Sequence, residues 1–211
     1  MPRGSDGQDR ACDVFLVVRS VIEKLSEREV LQFPVPLVKP SGILAVIKEM
    51  VKPDGIQEVK LVCHDWKTHL FHSALFRYED RAEIHYSAHS NLCWRRFAIC
   101  KEAMHLLIDT EPGHFTTDVP SLIERMIIGG ELEPDTPVES EWIGEAAAIE
   151  MLLPWKLRSV MEDMSKAGET DYQIAVQART PLKYVTAMLR GVYGRASKGL
   201  NKQLDETDSV L

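Results

Sequence analysis

The segment from Trp94 to Asp109, WRRFAICKEAMHLLID, constrains the fold more than any other stretch of the chain. Trp94, Phe97, Ala98, Met104 and Leu107 or Ile108 recur on a helical period, and strong helix formers fill the positions between them. Neither glycine nor proline interrupts the run, and Ser90 or Asn91 stands ready to cap its first turn. The spacing therefore predicts an amphipathic helix that needs an apolar surface to cover its inner face.

The residues just before it supply a candidate surface. EVKLV (58–62) alternates in character, and HLFHSALFRYEDRAEIHYSA (69–88) gives two β-like runs around Glu79-Asp80-Arg81. Leu75 and Tyr78 on one arm, with Ala82, Ile84 and Tyr86 on the other, fit a hairpin. Other segments read as helix. VFLVVRSVIEKL (14–25) is one, and ILAVIKEMVK, capped by Ser41 and closed by Pro53-Asp54-Gly55, is another. QFPVPLVKPSG (32–42) carries three prolines and reads as an extended connection. SLIERMII (121–128) is a short helix ending at Gly129-Gly130, and ELEPDTPVES is an acidic loop. EWIGEAAAIEMLLPWKLRSVMEDM (141–164) is helical up to Pro154, where it must break and restart. DYQIAVQARTPLKYVTAMLRGVYG reads as two short helices hinged at Thr180-Pro181, the shape of a helix-turn-helix pair. Residues 1–11 and the tail after about Leu200 are expected to be disordered. The class is α+β: a small antiparallel sheet packed on a helix bundle, with a C-terminal helical pair.

Composition narrows the function. The 211 residues are 45% hydrophobic and 27% charged, enough for a real core, and the formal charge is −7. That balance argues against wholesale binding to nucleic acid or to a membrane surface. No apolar run approaches the roughly 18 residues needed to span a bilayer, and the first residues hold no signal-peptide core, so a cytoplasmic protein is expected. Four cysteines without a CxxC pair read as reduced core thiols. The charge is unevenly spread. Eleven acidic residues against one basic lie between Asp109 and Glu150, and six basic residues with no acidic one lie between Tyr172 and Gln203. Arg179, Lys183 and Arg190 of the second region are the phosphate contacts that a DNA-binding regulator would use.

The chemistry concentrates on the central helix. Positions four apart share a face, so Lys101, His105 and Asp109 form a polar stripe beside Glu102. A zinc peptidase grips its metal with two imidazoles at i and i+4, and an intervening glutamate takes a proton from the metal-bound water. Here the glutamate and the second histidine are present, and the first histidine position is Lys101. An ammonium donates three hydrogens and accepts none, so it repels a dication and pairs with acids instead. Glu141 and Glu145, one turn apart on a later helix, are candidate partners, and Ala146 to Ala148 are small enough to let another helix approach. Cys100 and His105 point in poorly aligned directions for a thiolate nucleophile. No nucleophile elbow, glycine-rich phosphate loop or paired-cysteine metal motif occurs.

The order of hairpin, RRFAICKEAMHLLID, acidic loop, EAAAIEMLLPW and a helical pair with TPLKYVTAMLRG resembles the ImmA/IrrE family of metallopeptidases, over about Glu58 to Gly191. The resemblance implies a zincin-like fold over residues 12–168, followed by the helical pair at 169–200 and a tail at 201–211. It implies Glu102 as the general base, His105 as a zinc ligand and a carboxylate from the later helix as another. Counting back from Pro154, the family's glutamate falls at Ile143, so a two-residue slip reaches Glu141 or Glu145. Lys101 stands where the first ligand belongs, and His85, His89 or His114 are the histidines near enough in sequence to replace it. The resemblance implies a protein substrate, a transcriptional repressor or similar regulator, often of a mobile element. With KExxH in place of HExxH, two outcomes stand: an active zinc endopeptidase, or a catalytically impaired regulatory protein that binds a protein partner with Lys101 paired to Glu102, Glu141 or Glu145.

Overall fold

The computed structural model describes residues 5–27, 39–66, 72–109, 136–155 and 158–208. Among these, the helices are α1 (Ser5–Ser26), α2 (Pro40–Met50), α3 (Leu92–Ile108), α4 (Thr136–Leu152), α5 (Arg158–Lys166), α6 (Asp171–Ala178), α7 (Leu182–Arg190) and α8 (Val192–Asp208). The strands are β1 (Glu58–His64), β2 (Ser73–Arg77) and β3 (Arg81–Ser87). The chain is thus mixed α+β and mostly helical.

The core forms where apolar stripes meet. Val14, Val18, Val21 and Leu25 place one buried face on α1, and Ile43, Val46 and Ile47 do the same on α2. They share one core with Phe97, Cys100, Ala103 and Met104 of α3 and Ala147, Ala148, Met151 and Leu152 of α4. Fully burying one Val, Ile, Leu or Met side chain stabilises by about 1.5–3 kcal/mol, so this shared cluster dominates the fold's stability. Ala103, Ala147 and Ala148 are fully buried, and their short side chains let α3 and α4 lie close along their lengths.

The sheet order is β1-β3-β2, with β2 antiparallel and β1 parallel to β3. This corrects the expected all-antiparallel sheet. The β2–β3 hairpin forms as its sequence predicts: Leu75 lies opposite Ile84, and the Tyr78 amide donates to the Arg81 carbonyl across the turn at 2.8 Å. The hairpin then turns β3 inward, beside β1, and leaves β2 at the far edge. A strand reached through one intervening antiparallel strand runs the same way as the first, so β1 and β3 pair in parallel. As the central strand, β3 buries Ala82 and Ile84 completely against the helices, while Glu83 and His85 face the other side.

Several boundaries move. The Ser5–Ala11 backbone is helical, part of α1, where disorder was expected. The tail continues as helix to Asp208, because Asn201 and Leu204 are buried and Arg19 of α1 bonds both the Asn201 side chain and its carbonyl. Ser41 is not the cap of α2: Lys39 occupies that position without a side-chain bond, and Pro40 fills the first turn, where its missing N–H costs nothing. Gly55, at φ 93°, closes the short turn Lys52–Asp54 in the left-handed region that an L side chain rarely enters. Thr136 to Ser140, expected in the acidic loop, belong to α4. The cysteines are free, but only Cys100 is fully buried and Cys63 is exposed, so they are not uniformly core residues. The helix expected at 121–128, the rest of the acidic loop, and most of the proline-rich connection lie outside the described residues, as do His69 and His114.

Candidate functional site

The helix α3 starts where expected: the Asn91 side chain accepts from the Trp94 amide at 3.0 Å. From there the helical period brings Lys101, His105 and Asp109 onto one face and turns Glu102 toward β2. Helix α4 runs alongside and contributes Ser140, Glu141 and Gly144.

Lys101 Nζ lies 2.5 Å from Glu141 Oε2 and 3.1 Å from Glu102 Oε1. Glu102 is buried, and its Oε1 also accepts from Ser73 Oγ at 2.7 Å. Burial alone would lower the ammonium's pKa, but the two carboxylates outweigh it and hold Lys101 above its ordinary value. Burial would raise the Glu141 carboxyl, and the charge of Lys101 with its hydrogen bond reverses that, so its pKa is depressed. Both shifts favour the charged pair, in which each carboxylate touches the same cation.

The second half of the site is an imidazole held from behind. His105 Nδ1 lies 2.7 Å from Asp109 Oδ2, and Asp109 Oδ1 accepts from Ser140 Oγ at 2.5 Å. An ionised Asp109 puts the proton on Nδ1 and leaves a lone pair on Nε2. That nitrogen is buried and has no hydrogen-bond partner among the described residues. The His105 ring lies against Gly144, so close that a Cβ built there would collide with Nε2. Arg77 of β2 donates through Nη2 to the His105 carbonyl. Burial lowers the guanidinium's pKa, with Asp109 opposing that shift.

The remaining sequence candidates go elsewhere. Glu145, one turn beyond Glu141, accepts from Tyr184 Oη at 2.8 Å and lies 3.5 Å from Lys183 Nζ. It is tied to α7 rather than to Lys101. His85 points to the opposite face of the sheet and bonds His64, and His89 bonds Asp65 at 2.5 Å. Burial pushes the Cys100 thiol up to about 12, which makes it a core residue and a poor nucleophile. Of the proposed phosphate contacts, Arg190 is clasped by Asp171 through three hydrogen bonds of 2.8–3.0 Å and Lys183 pairs with Glu145; Arg179 is exposed at the turn.

Zinc is the metal the resemblance implies, and the donor set does not fit it. An ammonium occupies the first ligand position, and it is already paired with Glu102, the implied general base, and with Glu141, one of the implied carboxylate ligands. Among the described residues no three His, Cys, Asp or Glu side chains converge as a metal-binding group. What the arrangement provides is an internal cation fixed between two acids beside a desolvated imidazole. Ser73, Arg77, Ser140 and Gly144 complete it, and sequence reasoning named none of them. Each is a small or polar residue of an ordinary kind, and only the packing of β2 and α4 on α3 brings it to the site.

No family model, curated protein or solved structure matches the chain. No described helix is long and apolar enough to cross a membrane.

Proposed function

We propose that this chain is a zincin-like, ImmA/IrrE-type protein whose catalytic pocket is held shut by Lys101, and that it acts by binding a protein partner rather than by hydrolysis. The observation that carries this reading is the contact of Lys101 Nζ with both Glu102 and Glu141. In a peptidase of this kind Glu102 must accept a proton from water. Here Oε1 of the same carboxylate is already taken by an ammonium and by the Ser73 hydroxyl, donors of the protein itself. The resemblance makes a transcriptional regulator the class of partner.

A second reading, an active zinc endopeptidase, draws on one feature. His105 has its Nδ1 fixed by a carboxylate and its Nε2 desolvated and without a partner among the described residues, the disposition of an imidazole ligand. The two readings separate by metal content and thermal unfolding of untagged protein in a His85→Asn background, which removes the histidine pair on the far sheet face. The binding-protein reading expects a metal-free chain, a Tm indifferent to chelator, and zinc uptake only after Lys101→His. About one zinc per chain with Lys101 intact, and a Tm that falls on chelation, would establish the peptidase reading instead.

A further inference from the structure

The solvent face of the sheet, turned away from the Lys101 pocket, carries an arrangement that neither reading uses. His64 at the end of β1 and His85 on β3 bring two ring nitrogens, His64 Nε2 and His85 Nδ1, to 2.7 Å. The rings are nearly parallel, with planes inclined by 19°. Each is braced by an aromatic neighbour: Trp66 stacks on His64 with centroids 4.6 Å apart, and Phe76 leans on His85 at the same separation. The other nitrogen of His85, Nε2, lies 3.2 Å from Glu83 Oε2. A carboxylate oxygen can only accept there, so this contact is a hydrogen bond donated by Nε2–H.

That carboxylate fixes the tautomer of His85. With its proton on Nε2, its Nδ1 presents a lone pair toward His64, and His64 donates its own Nε2–H to it. A neutral His64 can move this proton to its Nδ1, after which two imidazole lone pairs face one space, with no proton lost from the pair. A carboxylate behind an imidazole whose free nitrogen faces a second imidazole is the arrangement that raises ligand basicity at metal sites.

We propose that His64 and His85 form a surface site for a divalent transition-metal ion of the imidazole-preferring class, copper or zinc, with Glu83 orienting His85 and water filling the remaining positions. The distances allow it. Two nitrogens held at metal–nitrogen lengths of about 2.0–2.1 Å, at right-angle to tetrahedral separation, stand about 2.8–3.4 Å apart. The pair at 2.7 Å has only to open by a few tenths of an ångström and rotate its rings. Partial exposure of His85, at 17% of its side chain, leaves access for the ion and its waters. Imidazole suits both metals, and copper binds the more tightly of the two to a nitrogen site of this kind. The site is independent of the reading of the Lys101 pocket.

The test is titration of untagged, metal-free full-length protein with Cu(II) alone, followed by calorimetry and by electron paramagnetic resonance. The expected result is one copper per chain with hyperfine splitting from two imidazole nitrogens. His64→Asn and His85→Asn should each abolish the two-nitrogen signal. Glu83→Gln, which keeps the side chain's shape, should weaken binding by about tenfold or more while leaving that signal in place. Lys101→Met and His89→Asn should change neither quantity. Wild-type copper affinity in a folded His64→Asn/His85→Asn protein, a spectrum with a single imidazole nitrogen, or loss of binding with Lys101→Met would each overturn the proposal and leave His64 and His85 as a hydrogen-bonded pair only.

Discussion

Two ion pairs, one buried and one partly exposed, are built to different rules, both anchored on helix α4. Toward its C-terminal end Glu150 meets Arg158 of α5, both almost fully buried. Every polar group around them is used. Glu150 Oε1 accepts from Ser197 and Tyr193 at 2.5 and 2.9 Å, while Arg158 donates to the Leu153 carbonyl at 3.0 Å and to Ser197 at 2.7 Å. Asn201 joins the same cluster through its amide. Near the middle of α4 Glu141 meets Lys101, and its surroundings are less finished. The Lys101 and Glu141 side chains keep 14% and 24% of their exposure, and His105 Nε2 beside them has no hydrogen-bond partner among the described residues. The first network closes the fold by tying α8 to α4 and α5. The second keeps partly exposed charge beside a desolvated nitrogen. A buried charge is weak grounds for stability unless all its hydrogen bonds are made, and only the Glu150–Arg158 pair meets that condition.

The contrast is open to direct tests. Arg158→Met should have the largest effect, because it strands Glu150 in a dry network: a loss of about 3–5 kcal/mol in urea unfolding, with α8 released from α4. A loss below 1 kcal/mol would show that water reaches Glu150 and that the two pairs are alike. Lys101→Met should cost less, about 2–3 kcal/mol, since Glu141 can turn to solvent and the buried Glu102 keeps the Ser73 hydroxyl, and Glu141→Gln in the same chain should recover part of it. If the double variant is less stable than the single, the carboxylate has another partner. Gly144→Ala should cost about 1–3 kcal/mol by driving the His105 ring from α4, with the Glu150 cluster untouched. Nuclear magnetic resonance of the His105 ring and of the Asn201 amide would separate these effects. Tyr193→Phe should be the mildest, about 1 kcal/mol, as it removes one hydrogen bond from a network with others in reserve.

The pocket pair also sets a pH dependence. Glu141 has a depressed folded pKa, so its contribution is complete above the ordinary value of 4.5 and is lost as pH falls through the lower folded value. Lys101 has a raised folded pKa, so its contribution is complete below the ordinary value of 10.5 and is lost as pH rises through the higher one. Between these limits the pair should leave stability flat. In the Lys101→Met/Glu141→Gln protein the acid-side loss should shrink, and an unchanged acid limb in urea titrations from pH 3 to 7 would remove Glu141 from its cause.

Local chemistry was enough to specify much of the molecule. The Asn91 cap and the unbroken run to Asp109 determined α3, and the polar stripe of Lys101, His105 and Asp109 follows from its period alone. The turn at Glu79-Asp80 determined the hairpin, Pro154 ended the helix of α4 because it has no N–H to donate, and Thr180-Pro181 separated α6 from α7. These outcomes depend on residues within a turn or two of one another. Tertiary structure decided the rest. Whether β3 pairs beside β1 depends on which edge the hairpin presents, and alternation within a strand is the same in either case. Glu141 and Glu145 share one face and one residue type, so only the packing of α4 on α3 and α7 gives the first to Lys101 and the second to Tyr184. The tail after Leu200 is polar in sequence, and it is helix because Asn201 and Leu204 find a buried surface made by α1 and α4. His64 and His85 are 21 residues apart and meet only across a parallel register. Sequence sets what each residue can donate, accept or bury locally; which partner it meets depends on contacts between segments far apart in the chain, whose geometry exists only once the core has formed.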